Sequence, residues 1–227
     1  MGAAIAFGAL AATGCGPASP LASPAPSPAE GPPTTTVAAR PVILCVGTSL
    51  TAGYGLDDPD DAWPALLQRR IDEAKLPYRV VNAGVSGETS AGALRRMDWL
   101  LKQEVAVFLL ETGANDMLRG QDADATRANV DAILARARRQ VLPPRLVLLG
   151  MRATPNLGDA YVRRFAAIYP DLARMHGALL VPFVLEGVAG IPRLNQPDGV
   201  HPTAEGQRII AETVWRALEP ILRATAR

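Results

Sequence analysis

Ser49 stands in Gly47-Thr48-Ser49-Leu50, directly after the apolar run Val42-Ile43-Leu44-Cys45-Val46. A serine hydroxyl is a weak nucleophile at its own pKa and needs a base to take its proton. Only two histidines can supply one, His176 and His201. Pro202 biases His201 toward an extended conformation, which keeps it in a loop ahead of the last helical segment. Asp198 lies three residues earlier. It can reach across a tight turn to the second ring nitrogen, fix the tautomer and steady an imidazolium. His176 sits in Arg174-Met175-His176-Gly177 at a helix end, where an interaction with the helix dipole accounts for it.

Two more positions suit a developing negative charge. Gly87 lets the chain approach a ligand and present a bare N–H, while Gly84 in the same loop is read as serving the turn off the preceding strand. Asn115 offers an uncharged amide donor. Each residue also has an ordinary structural role open to it: Ser49 as a helix cap, Asp198-Gly199 as a turn, His201 as a surface residue at a helix start, Asn115-Asp116 as an N-cap pair. Glu88 is read as a solvated or capping carboxylate and Glu111 as a hydrogen-bond acceptor at a strand end.

The chain that must position these residues alternates strand and helix. Apolar runs at 42–46, 79–82, 105–110, 146–149 and 178–181 suit strands buried on both faces of a parallel sheet. Helical patterns fill the intervals at about 61–75, 89–102, 125–140, 157–175 and 203–224. The last begins at Pro202-Thr203 with Glu205 in its first turn. That order implies an α/β sandwich around a parallel sheet, with ligands bound at the carboxyl ends of the strands. Ser49, Gly87, Asn115 and the Asp198/His201 pair all fall in loops that follow strands. Cys45 is mid-strand and is expected to be buried and inert.

Composition removes several classes. The 227 residues are 48% hydrophobic and carry a formal charge of +1, against a nucleic-acid binder and against an acidic disordered chain. Two cysteines build no disulfide scaffold, no Cys/His cluster has zinc spacing, and no metal or cofactor is called for. The Gly47–Gly55 loop lacks both the P-loop lysine and the dinucleotide-binding glycine spacing.

The first forty residues read separately. Residues 1–15 hold an apolar run followed by Ala11-Ala12-Thr13-Gly14-Cys15, an export signal too short to span a bilayer. Small residues ahead of Cys15 resemble a lipoprotein cleavage box, which makes Cys15 the expected lipidation site and the membrane an expected partner. A basic leading segment is missing, and Ala12 stands where the box usually has Leu. Residues 16–40 contain seven prolines among small and polar residues and read as a disordered tether, leaving 41–227 as one domain.

The blocks Gly47-Thr48-Ser49-Leu50, Ala62-Trp63-Pro64-Ala65-Leu66-Leu67, Ser86-Gly87-Glu88-Thr89-Ser90, Asn115-Asp116-Met117-Leu118-Arg119-Gly120, Ala167-Ile168-Tyr169-Pro170 and Asp198-Gly199-Val200-His201-Pro202 occur in order. With them the domain resembles the SGNH (GDSL-type) hydrolase superfamily, especially its bacterial thioesterase I, lysophospholipase and arylesterase branch. The resemblance implies a three-layer α/β/α sandwich of flavodoxin-like type with a five-stranded parallel sheet. It implies Ser49 as nucleophile with Asp198 and His201, and an oxyanion hole from Ser49, Gly87 and Asn115. One departure is Thr48, which stands where the family has Asp; it bears on the stability of the turn more than on activity. The implied reaction is hydrolysis of carboxylic esters or thioesters with apolar acyl or aryl groups. Met117, Leu118, Ala153, Pro155 and Leu157, with Met151, are expected to line the substrate pocket, and Arg119 and Arg152 are read as solvated. Export favours esters and lysophospholipids over acyl-CoA. The alternatives are a carbohydrate O-acetyl esterase using the same residues and a non-catalytic lipid-binding lipoprotein.

Overall fold

Val42–Gly47 forms β1, and every one of its residues is buried. The run is apolar throughout because both faces and both edges are covered. The computed structural model describes residues 40–225. Cys15, the expected export signal and all of the expected tether but Arg40 lie outside the described residues.

β1 leads into a single helical turn, α1 (Ser49–Ala52), and then α2 (Trp63–Glu73), β2 (Arg79–Gly84), α3 (Ser90–Leu100), β3 (Val107–Glu111), a second short helix α4 (Ala114–Leu118), α5 (Ala123–Arg138), β4 (Arg145–Leu149), α6 (Asp159–His176), β5 (Leu179–Val181) and α7 (Ala204–Thr225). The five strands are parallel in the order β2-β1-β3-β4-β5. That is the flavodoxin-like order, with its reversal of direction between β1 and β3. α2 packs on α7, while α5 packs on α3 and α6, giving a helical layer to each face. Phe108, Leu109 and Leu110 of β3 are wholly buried at the centre. A buried side chain of this kind contributes about 1.5–3 kcal/mol.

The sequence reading and the structure differ at specific places. β2 is an edge strand and only half-buried, not covered on both faces. Its outer edge is blunted locally: the Gln68 amide accepts from the Val80 N–H at 2.7 Å and donates to the Tyr78 carbonyl at 3.3 Å. Such satisfaction of a free edge discourages pairing with another chain. The short helices α1 and α4 have no signal in the sequence, because about one helical turn carries no hydrophobic period. Gly84 ends β2 rather than serving a turn: a Cβ there would come within 2.3 Å of the Ala52 backbone nitrogen, so glycine lets α1 lie on the strand end. Gln207 of α7 is buried, accepting from the Trp63 N–H at 3.0 Å and donating to the Leu50 carbonyl at 3.2 Å. It satisfies an N–H at the start of α2, which has no partner within its own helix, and ties α7 to the segment carrying Ser49.

Candidate active site

Ser49 is the first residue of α1, so its N–H has no partner in that helix. Thr48 precedes it in extended conformation. The turn is held from behind by Glu111, which is fully buried at the end of β3. The Glu111 carboxyl accepts from the Thr48 N–H at 2.8 Å, the Thr48 hydroxyl at 3.0 Å and the Thr51 hydroxyl at 2.9 Å. Thr48 therefore supplies two donors where an Asp would supply one donor and a second carboxylate. Burial pushes the Glu111 carboxyl above the ordinary carboxylate range, and these donors pull against it. Gly47 must be glycine because a Cβ would fall 2.0 Å from the Thr51 hydroxyl oxygen.

The hydroxyl of Ser49 lies 2.9 Å from His201 Nε2. His201 Nδ1 lies 2.6 Å from Asp198 Oδ2. The other Asp198 oxygen accepts the N–H groups of Val200 at 2.9 Å and His201 at 3.0 Å. The His201 backbone N–H, the His201 ring and the Val200 N–H together hold the Asp198 carboxyl at about 2, below its usual 3.8. A carboxylate beside Nδ1 keeps the proton there and leaves Nε2 free to accept from Ser49. The Tyr54 ring lies against the imidazole, with centroids 4.6 Å apart.

Gly87 has φ of +76°, a left-handed conformation costly for other residues, and a Cβ there would meet only an Arg119 nitrogen, at 3.5 Å. Asn115 lies in α4 and donates one amide N–H to the Glu88 carbonyl at 3.0 Å. An Asn amide has two such donors, so a second remains. Three cross-links hold the loop of Gly87 against α4. Asn115 binds Glu88, Arg119 donates to the Gly87 carbonyl at 2.8 Å, and Asp116 accepts from the Ser90 N–H at 2.8 Å and the Ser90 hydroxyl at 2.5 Å.

Several sequence readings are corrected here. Asp116 does not cap its own helix; it is buried and satisfies the start of α3. Glu88 is not solvated: its carboxylate takes both Arg96 Nε at 2.7 Å and a terminal nitrogen at 2.6 Å. Arg119 and Arg152 are exposed, in keeping with the solvated reading, and each also has a protein partner. The first holds Gly87, and the second pairs with Glu186 at 3.3 Å and lies over the Phe183 ring at 4.5 Å. His176 is in the last turn of α6, as its dipole reading requires, and also contacts Asp131 at 2.6 Å. Of the expected pocket residues, Leu118 and Pro155 are exposed, Ala153 and Leu157 half-buried, and Met117 and Met151 buried with the core. Cys45 is buried, and burial pushes its thiol far up. Among the described residues no group of three His, Cys, Asp or Glu side chains is placed to hold a metal ion, and no helix is long and apolar enough to cross a membrane.

Sequence reading passed over Tyr54, Gln196 and Gln207. No periodicity or spacing marks them, since their partners lie in other loops.

A family model described as GDSL-like Lipase/Acylhydrolase family matches residues 45–209. The chain is 40% identical over 189 residues to Esterase TesA of Pseudomonas aeruginosa, covering 83% of this chain and 92% of that protein. It is 37% identical over 190 residues to Thioesterase 1/protease 1/lysophospholipase L1 of Escherichia coli strain K12, covering 83% and 88%. The crystal structure of the psychrotrophic esterase EstA from Pseudoalteromonas sp., inhibited by monoethylphosphonate, superposes with a TM-score of 0.74 at 33% identity, over 80% of this chain and 98% of that one.

Proposed function

Because the chain belongs to the GDSL-like lipase/acylhydrolase family and is an ester-bond hydrolase, we propose that it cleaves carboxylic esters and thioesters with Ser49 as nucleophile, His201 as base and Asp198 as the residue that orients His201. The observation that carries this reading is the unbroken line from Asp198 through His201 to the Ser49 hydroxyl.

His201 Nε2 takes the Ser49 proton as Oγ attacks the carbonyl carbon, and the carbonyl electrons move onto oxygen. The N–H groups of Ser49 and Gly87 and the second amide N–H of Asn115 hold that oxyanion. The donors are fixed in advance by α1, the left-handed Gly87 and the Asn115–Glu88 bond, so little reorganisation is needed as charge develops. When the tetrahedral species collapses, His201 passes the proton to the leaving alkoxide or thiolate and Ser49 keeps the acyl group. Water then attacks the acyl-enzyme with His201 again as base, releasing the acid and restoring the hydroxyl. The imidazolium formed at the half-buried His201 is steadied by the exposed Asp198 carboxylate.

Apolar side chains at Met117, Leu118, Ala153, Pro155 and Leu157 are the proposed acyl- or aryl-binding surface, which favours apolar esters and lysophospholipids over acetylated sugars. Export and attachment to a membrane through Cys15 belong to the same reading. The Pseudoalteromonas esterase is inhibited by monoethylphosphonate, which suggests the direct test. Ser49→Ala should abolish both hydrolysis and phosphonate labelling while thermal unfolding barely changes. Wild-type activity confined to acetylated sugars, across a panel of short and long p-nitrophenyl esters, phenyl acetate and lysophosphatidylcholine, would replace the substrate class. A fully active Ser49→Ala variant would remove the mechanism.

A further inference from the structure

Ser49 at the start of α1 and His201 in a turn ahead of α7 lie far apart in the chain, and their separation must be set by something other than the bond between them. His201 belongs to an exposed turn that closes on itself. Asn195 and Pro202 pair as an isolated antiparallel bridge, the Thr203 N–H donates to the Leu194 carbonyl at 2.9 Å, and the Gly199 N–H donates to the Gln196 carbonyl at 2.8 Å. The turn contains Gly199 at φ +70°. These bonds shape the turn without relating it to Ser49.

Gln196 makes that relation. Its backbone N–H donates to the His201 carbonyl at 2.7 Å. Its side-chain amide donates at 3.0 Å to the Pro202 carbonyl within the turn, and at 2.7 Å to the Tyr54 carbonyl outside it. The Tyr54 N–H in turn donates to the Ser49 carbonyl at 3.0 Å. A closed circuit results, running Ser49, Tyr54, Gln196, His201 and back through the 2.9 Å contact of Nε2 with the Ser49 hydroxyl. The amide also fits flat against Gly55, where a Cβ would come 2.2 Å from Gln196 Oε1. Tyr54 contributes twice, by its carbonyl to Gln196 and by its ring to His201.

We propose that Gln196 is a positioning residue of the hydrolytic site: its side-chain amide clasps the His201 turn to the Tyr54 segment and so sets the reach of Nε2 to the Ser49 hydroxyl. The assignment rests on the mechanism proposed above. Gln196 touches no reacting atom, so its loss should spare substrate binding and lower the rate at which Ser49 is activated.

The test uses Gln196→Met, which keeps length and removes both donors, and Gly55→Ala, which displaces the amide from the opposite loop. Turnover of a water-soluble short-chain ester is normalised to the sites titrated by a phosphonate at completion, so that unfolded protein does not count. Each variant should lower kcat by about 10- to 100-fold, as expected for a catalytic group displaced by about 1 Å. KM should stay within about threefold, and the rate of phosphonate inactivation should fall in parallel with kcat. Both changes break one clasp, so the double variant should be no worse than the poorer single variant rather than the product of the two. Normal kcat per titrated site in Gln196→Met, or effects that multiply in the double variant, would overturn the assignment while leaving the mechanism standing. A wild-type protein that neither hydrolyses esters nor reacts with the phosphonate would instead sink the proposed mechanism, and the role of Gln196 with it.

Discussion

Asn115, proposed as an oxyanion donor, shows how a side-chain amide can be oriented ahead of a reaction. One amide N–H is committed to the Glu88 carbonyl, which orients the other. Asn115→Ala should lower kcat by about 10²–10³-fold, the usual cost of one oxyanion donor. Steady-state kinetics on a short ester would measure it, and a mere twofold loss would take Asn115 out of the oxyanion hole. Asp198 makes a prediction about pH. Its carboxyl is held at about 2 in the fold against an ordinary 3.8, so the folded state favours the charged form. A depressed acid contributes stability above its unfolded pKa and loses it as pH falls through the folded one. The stability difference between wild type and Asp198→Asn should therefore narrow as pH falls from about 3.8 toward 2. Denaturant midpoints measured across that window would show it, and a gap that widens on acidification would contradict it.

α1 is an element too short to be stable alone, since helix nucleation is unfavourable. It persists because Glu111 binds Thr48 and Thr51 from below and Gly84 lets it settle on the end of β2. The same burial that makes Glu111 a firm support makes its charge costly. A raised folded pKa means that stability from this group falls as pH climbs from the ordinary value of 4.5 through the raised one. Glu111→Gln removes that titration, so its denaturant midpoint should decline less than wild type's over the same rise in pH. Identical slopes for the two proteins would show that the carboxyl does not titrate in the folded state above its ordinary range. α4 depends on its neighbours in a similar way. Gly113 has φ +99°, and a Cβ there would approach the Tyr169 hydroxyl to 2.5 Å, so the segment carrying Asn115 reaches its place only with glycine at the start.

At the scale of the sheet, the parallel order puts every strand's carboxyl end on one side, and Ser49 and Asn115 follow the neighbouring strands β1 and β3, where the chain reverses direction. The His201 turn follows β5, the last strand, and leads into α7. Cys15 has its own prediction at this scale: Cys15→Ser should move the protein from the membrane fraction to the soluble fraction with unchanged activity per titrated site, read by fractionation and immunoblot. Persistence of the variant in membranes would remove the lipid anchor from the reading.

The sequence by itself determined the alternation of strands and helices and the segments after strands in which Ser49, Gly87, Asn115, Asp198 and His201 fall, but not that Ser49 and Asn115 stand in short helices of their own. Hydrophobic period and turn residues are local, and a local pattern can be read along the chain. Element ends shifted by only a residue or two, as at α2, expected over 61–75 and found at Trp63–Glu73. The tertiary structure alone decided which polar groups serve the site and which serve the frame. Glu88 pairs with Arg96, Asp116 serves a neighbouring helix, Arg119 holds Gly87, Gln196 joins the His201 turn to Tyr54, and Gln207 joins α7 to Leu50 and Trp63. A polar side chain carries no mark of its partner in its own neighbourhood of sequence. The partner is whichever unsatisfied donor or acceptor packing brings within about 3 Å, and packing is a property of the folded chain.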